Sequence, residues 1–93
     1  MLSKLPINLR KVKKEDIDKE ISRVGMIAEL DAVSLYEQLA AMTENKNIKK
    51  VLLDIAKEEK THVGEFEALL FQIDEEQVKE TQKGKKEVGE LTK

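Results

Sequence analysis

Between Ile48 and Ile73 one seam runs through the sequence: Ile48, Leu52, Ile55, Glu59, His62, Phe66, Leu69 and Ile73 recur alternately four and three residues apart. That spacing returns side chains to one face of an α-helix, a period no strand can follow. The stretch from about Asn47 to Ile73 is therefore predicted to be a helix whose seam packs against another helix. A partner lies upstream. From about Lys14 to Thr43 the chain has no proline and no glycine but Gly25, and Ile17, Ile21, Val24, Ala28, Leu35 and Met42 recur at helical spacing. Glu44-Asn45-Lys46-Asn47 interrupts both patterns with residues that favour turns and helix caps. An all-α fold built on an antiparallel two-helix hairpin over residues 14–73 is expected.

The ends carry less. Residues 1–13 contain Pro6 and four basic side chains without sustained periodicity, and read as an arm. Residues 74–93 read as a short C-terminal helix and a tail. Asp74 can cap that helix by accepting from the N–H of Glu76 or Gln77, with Gln77 able to reach back as in a capping box. After Gly84 the sequence GKKEVGELTK has too few apolar positions to hold a core, so a frayed tail or linker is expected there.

A chain of 93 residues makes one domain at most and buries a modest fraction of its surface, so association is expected before any motif is read. The net charge is −2 with lysines interleaved among glutamates, which leaves no electrostatic footprint for nucleic acid. Cysteine is absent, which excludes disulfides, thiolate metal sites and cysteine nucleophiles. No apolar run approaches the roughly 20 residues that cross a bilayer, and the N-terminus lacks a signal peptide's apolar core. A soluble, cytoplasmic chain without a membrane partner is expected.

Two members of the apolar seam are polar. Glu59 and His62 form a Glu-x-x-His pair, and burying both unpaired costs several kcal/mol, so something must compensate them. On the first helix Gly25, Glu29, Ala32, Tyr36 and Leu39 follow the same spacing. The small residues beside Glu29 leave room for an ion, and the Tyr36 hydroxyl two turns on can reach a ligand or water. Helical di-iron carboxylate sites take a Glu from each of two helices and a Glu-x-x-His from each of two others. One chain holds half of that set, and a two-fold copy would supply the rest. Carboxylates with imidazole suit Fe(II) or Mn(II); zinc or calcium could substitute. The expected chemistry is oxidation of Fe(II), the carboxylates neutralising the charge that grows at the ion. Asp31 and Glu37 lie on other faces and read as solvated charges paired with lysines at helical spacing. Glu58 and Glu65 flank the motif and read as pointing away from the seam, and Ile48, Leu52, Ile55, Phe66 and Leu69 read as core.

The segments Ile27-Ala28-Glu29-Leu30-Asp31-Ala32-Val33-Ser34-Leu35-Tyr36-Glu37-Gln38, Ile48 to Leu53, and Glu58-Glu59-Lys60-Thr61-His62-Val63-Gly64-Glu65-Phe66 resemble the encapsulated ferritin-like proteins, two-helix relatives of ferritin and rubrerythrin. The resemblance implies a homodimer that completes a ferritin-like four-helix bundle, a decameric ring of five dimers, and ferroxidase activity for iron storage inside an encapsulin nanocompartment. It implies iron, two ions per dimer, held by Glu29, Glu59 and His62, with Tyr36 beside the centre and Asp31 where some members admit iron. The encapsulin shell protein is the implied partner. Leu35 departs from the family, since some members carry tryptophan there, and Glu90-Leu91-Thr92-Lys93 gives no clear shell-targeting tail. Some archaeal members are fused to the shell protein's N-terminus, so an excised segment is one expectation. Two other functions fit the same residues: a rubrerythrin-like peroxidase, disfavoured by the lack of cysteines for a rubredoxin-type donor, and a helical adaptor in which Glu59 and His62 only set register.

Overall fold

The computed structural model describes Lys4 and residues 8–93, and every regular element among them is helical. Two 3-10 turns, Leu9–Lys11 and Lys14–Asp16, lead into α1 (Ile17–Met42), followed by α2 (Lys46–Ile73) and α3 (Glu75–Leu91). The expected arm falls partly outside the described residues, at 1–3 and 5–7. Its described part holds the first 3-10 turn, which Asn8 caps by accepting from the Arg10 amide at 3.1 Å. Lys14–Asp16 wind more tightly than an α-helix, so α1 starts at Ile17 instead of Lys14. No helix among the described residues is long and apolar enough to cross a membrane.

Three residues, Thr43 to Asn45, join the two long helices. Thr43 Oγ1 accepts from the Asn45 amide at 3.1 Å, and the Asn45 side chain accepts from the amides of Asn47 and Ile48, each at 3.0 Å. Two of the amide donors that α2 leaves open at its start are thereby satisfied. So short a link returns α2 antiparallel to α1: Glu37 meets Lys60, Glu29 meets His62 and Arg23 meets Asp74, in reverse order along the pair. Glu37 thus finds its lysine across the hairpin, at 3.1 Å, and not within its own helix.

Val33, Ala40, Ala56 and Leu70 are the buried hydrophobic residues along the contact. Alanines bring the helices close but enclose little, and among the described residues no large side chain is completely buried. The seam expected as core is half open, with Ile48 and Leu69 each 51% exposed. The physical reason is coverage: α1 packs on one side of the seam, and α3 does not fold back over the other. A compact domain of this length has a radius of gyration of about 12 Å. This chain's is 16.4 Å.

α3 departs from expectation by continuing through Gly84 and Gly89 to Leu91, where Thr92 donates its hydroxyl to the Val88 carbonyl at 2.7 Å. An isolated glycine costs a helix about 1 kcal/mol but does not end it, and the neighbouring lysines and glutamates are good helix formers. With few apolar residues α3 packs only lightly, near its start, and none of its residues is buried.

Its start is better anchored. Asp74 Oδ1 accepts from the Gln77 amide at 3.0 Å, and Oδ2 lies 3.2 Å from Arg23 Nη2, so one buried carboxylate both caps α3 and ties it to α1. The Gln77 side chain does not reach back as a capping box; its Nε2 donates forward to Thr81 Oγ1 at 2.9 Å. Arg23 also holds Glu20 at 2.7 Å. Asp74→Ala is expected to loosen the first turn of α3 by about 1 kcal/mol, roughly fivefold faster amide exchange there, with α1 and α2 unaffected. Asp74→Asn keeps the cap and should preserve most of that protection. Unchanged exchange in the alanine variant would show that the cap does not hold α3.

Candidate metal centre

Glu29 projects from the middle of α1, and Glu59 and His62 from adjacent turns of α2 facing it. The antiparallel pairing that aligns Glu37 with Lys60 brings the three together, with one donor atom from each within 4.8 Å of the others. His62 Nδ1 lies 3.5 Å from both Glu29 Oε2 and Glu59 Oε2. Those separations exceed a hydrogen bond. They match two ligands of one ion: bonds of about 2.1 Å at angles near 110° put donor atoms roughly 3.5 Å apart. Glu29 Oε2 is buried without a hydrogen-bond partner, although the Nδ1 edge faces it. A buried carboxylate oxygen left so is costly unless a cation compensates it. The donor set and its geometry therefore fit a metal ion.

Exposure supports the same use. The Glu29 and Glu59 side chains are about one-fifth exposed, at 20% and 19%, enough shelter to strengthen their field and enough access for an ion to arrive. An open cleft of about 340 Å³ beside them is lined by Glu29, His62, Glu65, Phe66 and Leu69. Phe66 also answers what the small residues near Glu29 do. A Cβ built on Gly25 would fall 2.5 Å from the Phe66 ring, so the space at Gly25 is filled by that ring and not left for an ion.

The other sequence candidates fare differently. Tyr36 is partly buried on α1 and does not line the cleft. Asp31 is buried at 7% exposure and engaged in an interaction of its own, which corrects its reading as a solvated charge. It follows Glu29 by two residues, about 200° round the helix, and does not line the cleft either. Glu65 corrects the expectation that it points away: it borders the cleft, with Oε1 3.9 Å from His62 Nε2. Its position three residues after His62, a spacing that makes neighbours on a helix, was the available signal.

A two-helix hairpin carrying a Glu opposite a Glu-x-x-His has the composition of half a carboxylate–histidine metal bundle. The chain belongs to the rubrerythrin family, whose model matches residues 20–92. It is 59% identical over 73 residues to the ferritin-like-encapsulin shell fusion protein of Pyrococcus furiosus, covering 78% of this chain and 21% of that one. It is 34% identical over 68 residues to the encapsulin nanocompartment cargo protein EncC of Myxococcus xanthus, covering 73% of this chain and 52% of that one. The chain thus spans about a fifth and about half of these relatives. The crystal structure of the encapsulated ferritin domain from Pyrococcus furiosus superposes with a TM-score of 0.84 at 52% identity, covering 99% of this chain and 96% of that one.

Proposed function

We propose that this chain is a ferroxidase that oxidises Fe(II) to Fe(III) at a two-iron site formed between two copies of it. The observation that carries the reading is the cluster of Glu29, Glu59 and His62 around one point, with Glu29 Oε2 buried and without a hydrogen-bond partner. Two copies would supply four carboxylates and two imidazoles, the set that holds a pair of iron ions in helical bundles. Half-exposed Ile48, Leu69 and Ile73 on the same seam support a second copy at that face, since its apolar side chains would close there and shelter the centre.

Ferrous ions are the substrate. Each gives up one electron, so a pair delivers two, which with two protons from solvent reduce dioxygen to hydrogen peroxide or hydrogen peroxide to two waters. Glu29 and Glu59 bind the ions, balance the charge that rises on oxidation, and repel each other when the site is empty, which favours loading. Two helices enclose no cavity, so the ferric product is stored elsewhere. The relatives named as encapsulin cargo and shell fusion support action with an encapsulin shell, inside a nanocompartment. A largely apolar groove of about 480 Å³, where Met26, Ile27 and Leu30 of α1 meet Leu70 and Phe71 of α2 beside Gln77 and Thr81 of α3, offers a further face for assembly beyond a dimer, such as the ring of five dimers that the resemblance implies. Tyr36 and Asp31 lie off the cleft of one chain, so a part for them beside the centre rests on the second copy.

The test compares initial rates of ferric absorbance under air for the protein and for His62→Ala. A rate above buffer that falls to background in the variant supports a ferroxidase; equal rates in well-folded samples leave Glu59 and His62 as a structural pair.

A further inference from the structure

We propose that Glu65 is a positioning residue for His62: it accepts a hydrogen bond from Nε2–H and so keeps Nδ1 as the atom that binds the metal. The proposal rests on the metal-centre reading above. A neutral imidazole carries hydrogen on one nitrogen and a lone pair on the other, and only the lone pair ligates. The ring stands between two sets of carboxylates. Nδ1 faces Glu29 and Glu59 at 3.5 Å each, and Nε2 faces Glu65 at 3.9 Å.

With an ion among Glu29, Glu59 and Nδ1, the ring's hydrogen resides on Nε2, and Glu65 is the acceptor in front of it. The reverse arrangement would set the Nε2 lone pair against the Glu65 carboxylate, acceptor against acceptor. The 3.9 Å gap is about 1 Å too long for a charge-assisted hydrogen bond. Glu65 is free to close it, being one turn beyond His62 on α2 with its side chain 67% exposed. A metal-bound histidine without a partner on its second nitrogen is free to turn about its side-chain bonds, and such partners are worth about 10–100-fold in metal affinity. Because Glu65 faces Nε2 while Glu29 and Glu59 face Nδ1, it acts through His62.

His62 is the only histidine in the chain, so its ring signals are unambiguous. The experiment uses zinc(II) alone as a diamagnetic probe, with imidazole-15N-labelled protein, comparing the unaltered chain with Glu65→Gln and Glu65→Leu. Glutamine removes the charge but keeps an acceptor oxygen; leucine removes both. In the unaltered protein, zinc on Nδ1 and a slowly exchanging proton on Nε2 are expected. Zinc affinity should fall about 10–100-fold in Glu65→Leu with loss of that slow proton, and stay within about threefold in Glu65→Gln. Zinc bound through Nε2, equal affinity in all three proteins, or equal losses in Gln and Leu would each overturn the proposal, the last because charge alone would then be at work. Tight zinc binding that survives Glu59→Ala would instead overturn the centre itself, and the role of Glu65 with it.

Discussion

Glu29→Ala is expected to abolish ferrous oxidation above the buffer rate while leaving the metal-free protein as stable as before or more so. Both halves follow from one atom. Glu29 Oε2 is buried without a hydrogen-bond partner, and its carboxylate shares a small site with Glu59. In the empty protein that arrangement is unfavourable, since a desolvated acceptor lacks compensation and two like charges face each other. Truncation to alanine relieves both, and the open cleft beside the site means that little of the vacated space becomes an enclosed cavity. With metal present the order reverses. Zinc should raise the melting temperature of the unaltered protein, by about 2.7 kcal/mol of stabilisation at one hundred times Kd, and leave the variant's unchanged. Thermal melts with and without zinc check this. A purely structural role for Glu29 predicts the opposite: a destabilised variant, and no response to zinc in either protein.

The second large effect is at Gly25, where helix propensity and packing give opposite answers. In a helix interior, glycine to alanine ordinarily stabilises by about 0.5–1 kcal/mol. At Gly25 an added Cβ would lie 2.5, 2.6 and 2.7 Å from three carbons of the Phe66 ring. The ring must move, and overpacking of this kind costs about 1–3 kcal/mol. Phe66 lines the cleft with Glu29 and His62, so its displacement also weakens zinc binding. Gly64→Ala is the control: nothing lies within 4 Å of its added Cβ, and it should stabilise by the ordinary amount. Gly25→Ala at or above the stability of the unaltered protein, with zinc affinity intact, would remove Phe66 from the account of the site.

Much of this was legible in the sequence because it depends on spacing along one chain. The four-and-three seam from Ile48 to Ile73 and the glycine-poor run before it give the helices, and Glu29 opposite Glu59-x-x-His62 gives the donor trio. The rest depends on how helices meet. Asp31 reads as solvated because acidic residues are rarely buried, yet it is, a consequence of how α1 packs that its own neighbours do not encode. The room beside Glu29 is legible as two small residues, but that a Phe66 ring from α2 fills the space at Gly25 is a fact of helix approach. Arg23 reaching Asp74 joins residues 51 positions apart, which no local pattern signals. Past Gly84 the sequence reads as a frayed tail, yet α3 continues to Leu91, because a scarcity of apolar residues limits packing without forbidding helix.

The most direct test of the central claim is an aerobic Fe(II) titration of the assembled protein that counts iron bound per dimer while ferric absorbance is followed, with Glu59→Ala alongside. Saturation near two irons per dimer, oxidation faster than buffer, and loss of both in Glu59→Ala are the expected result. Background-rate oxidation by a well-assembled protein, or iron uptake indifferent to Glu59, would contradict it.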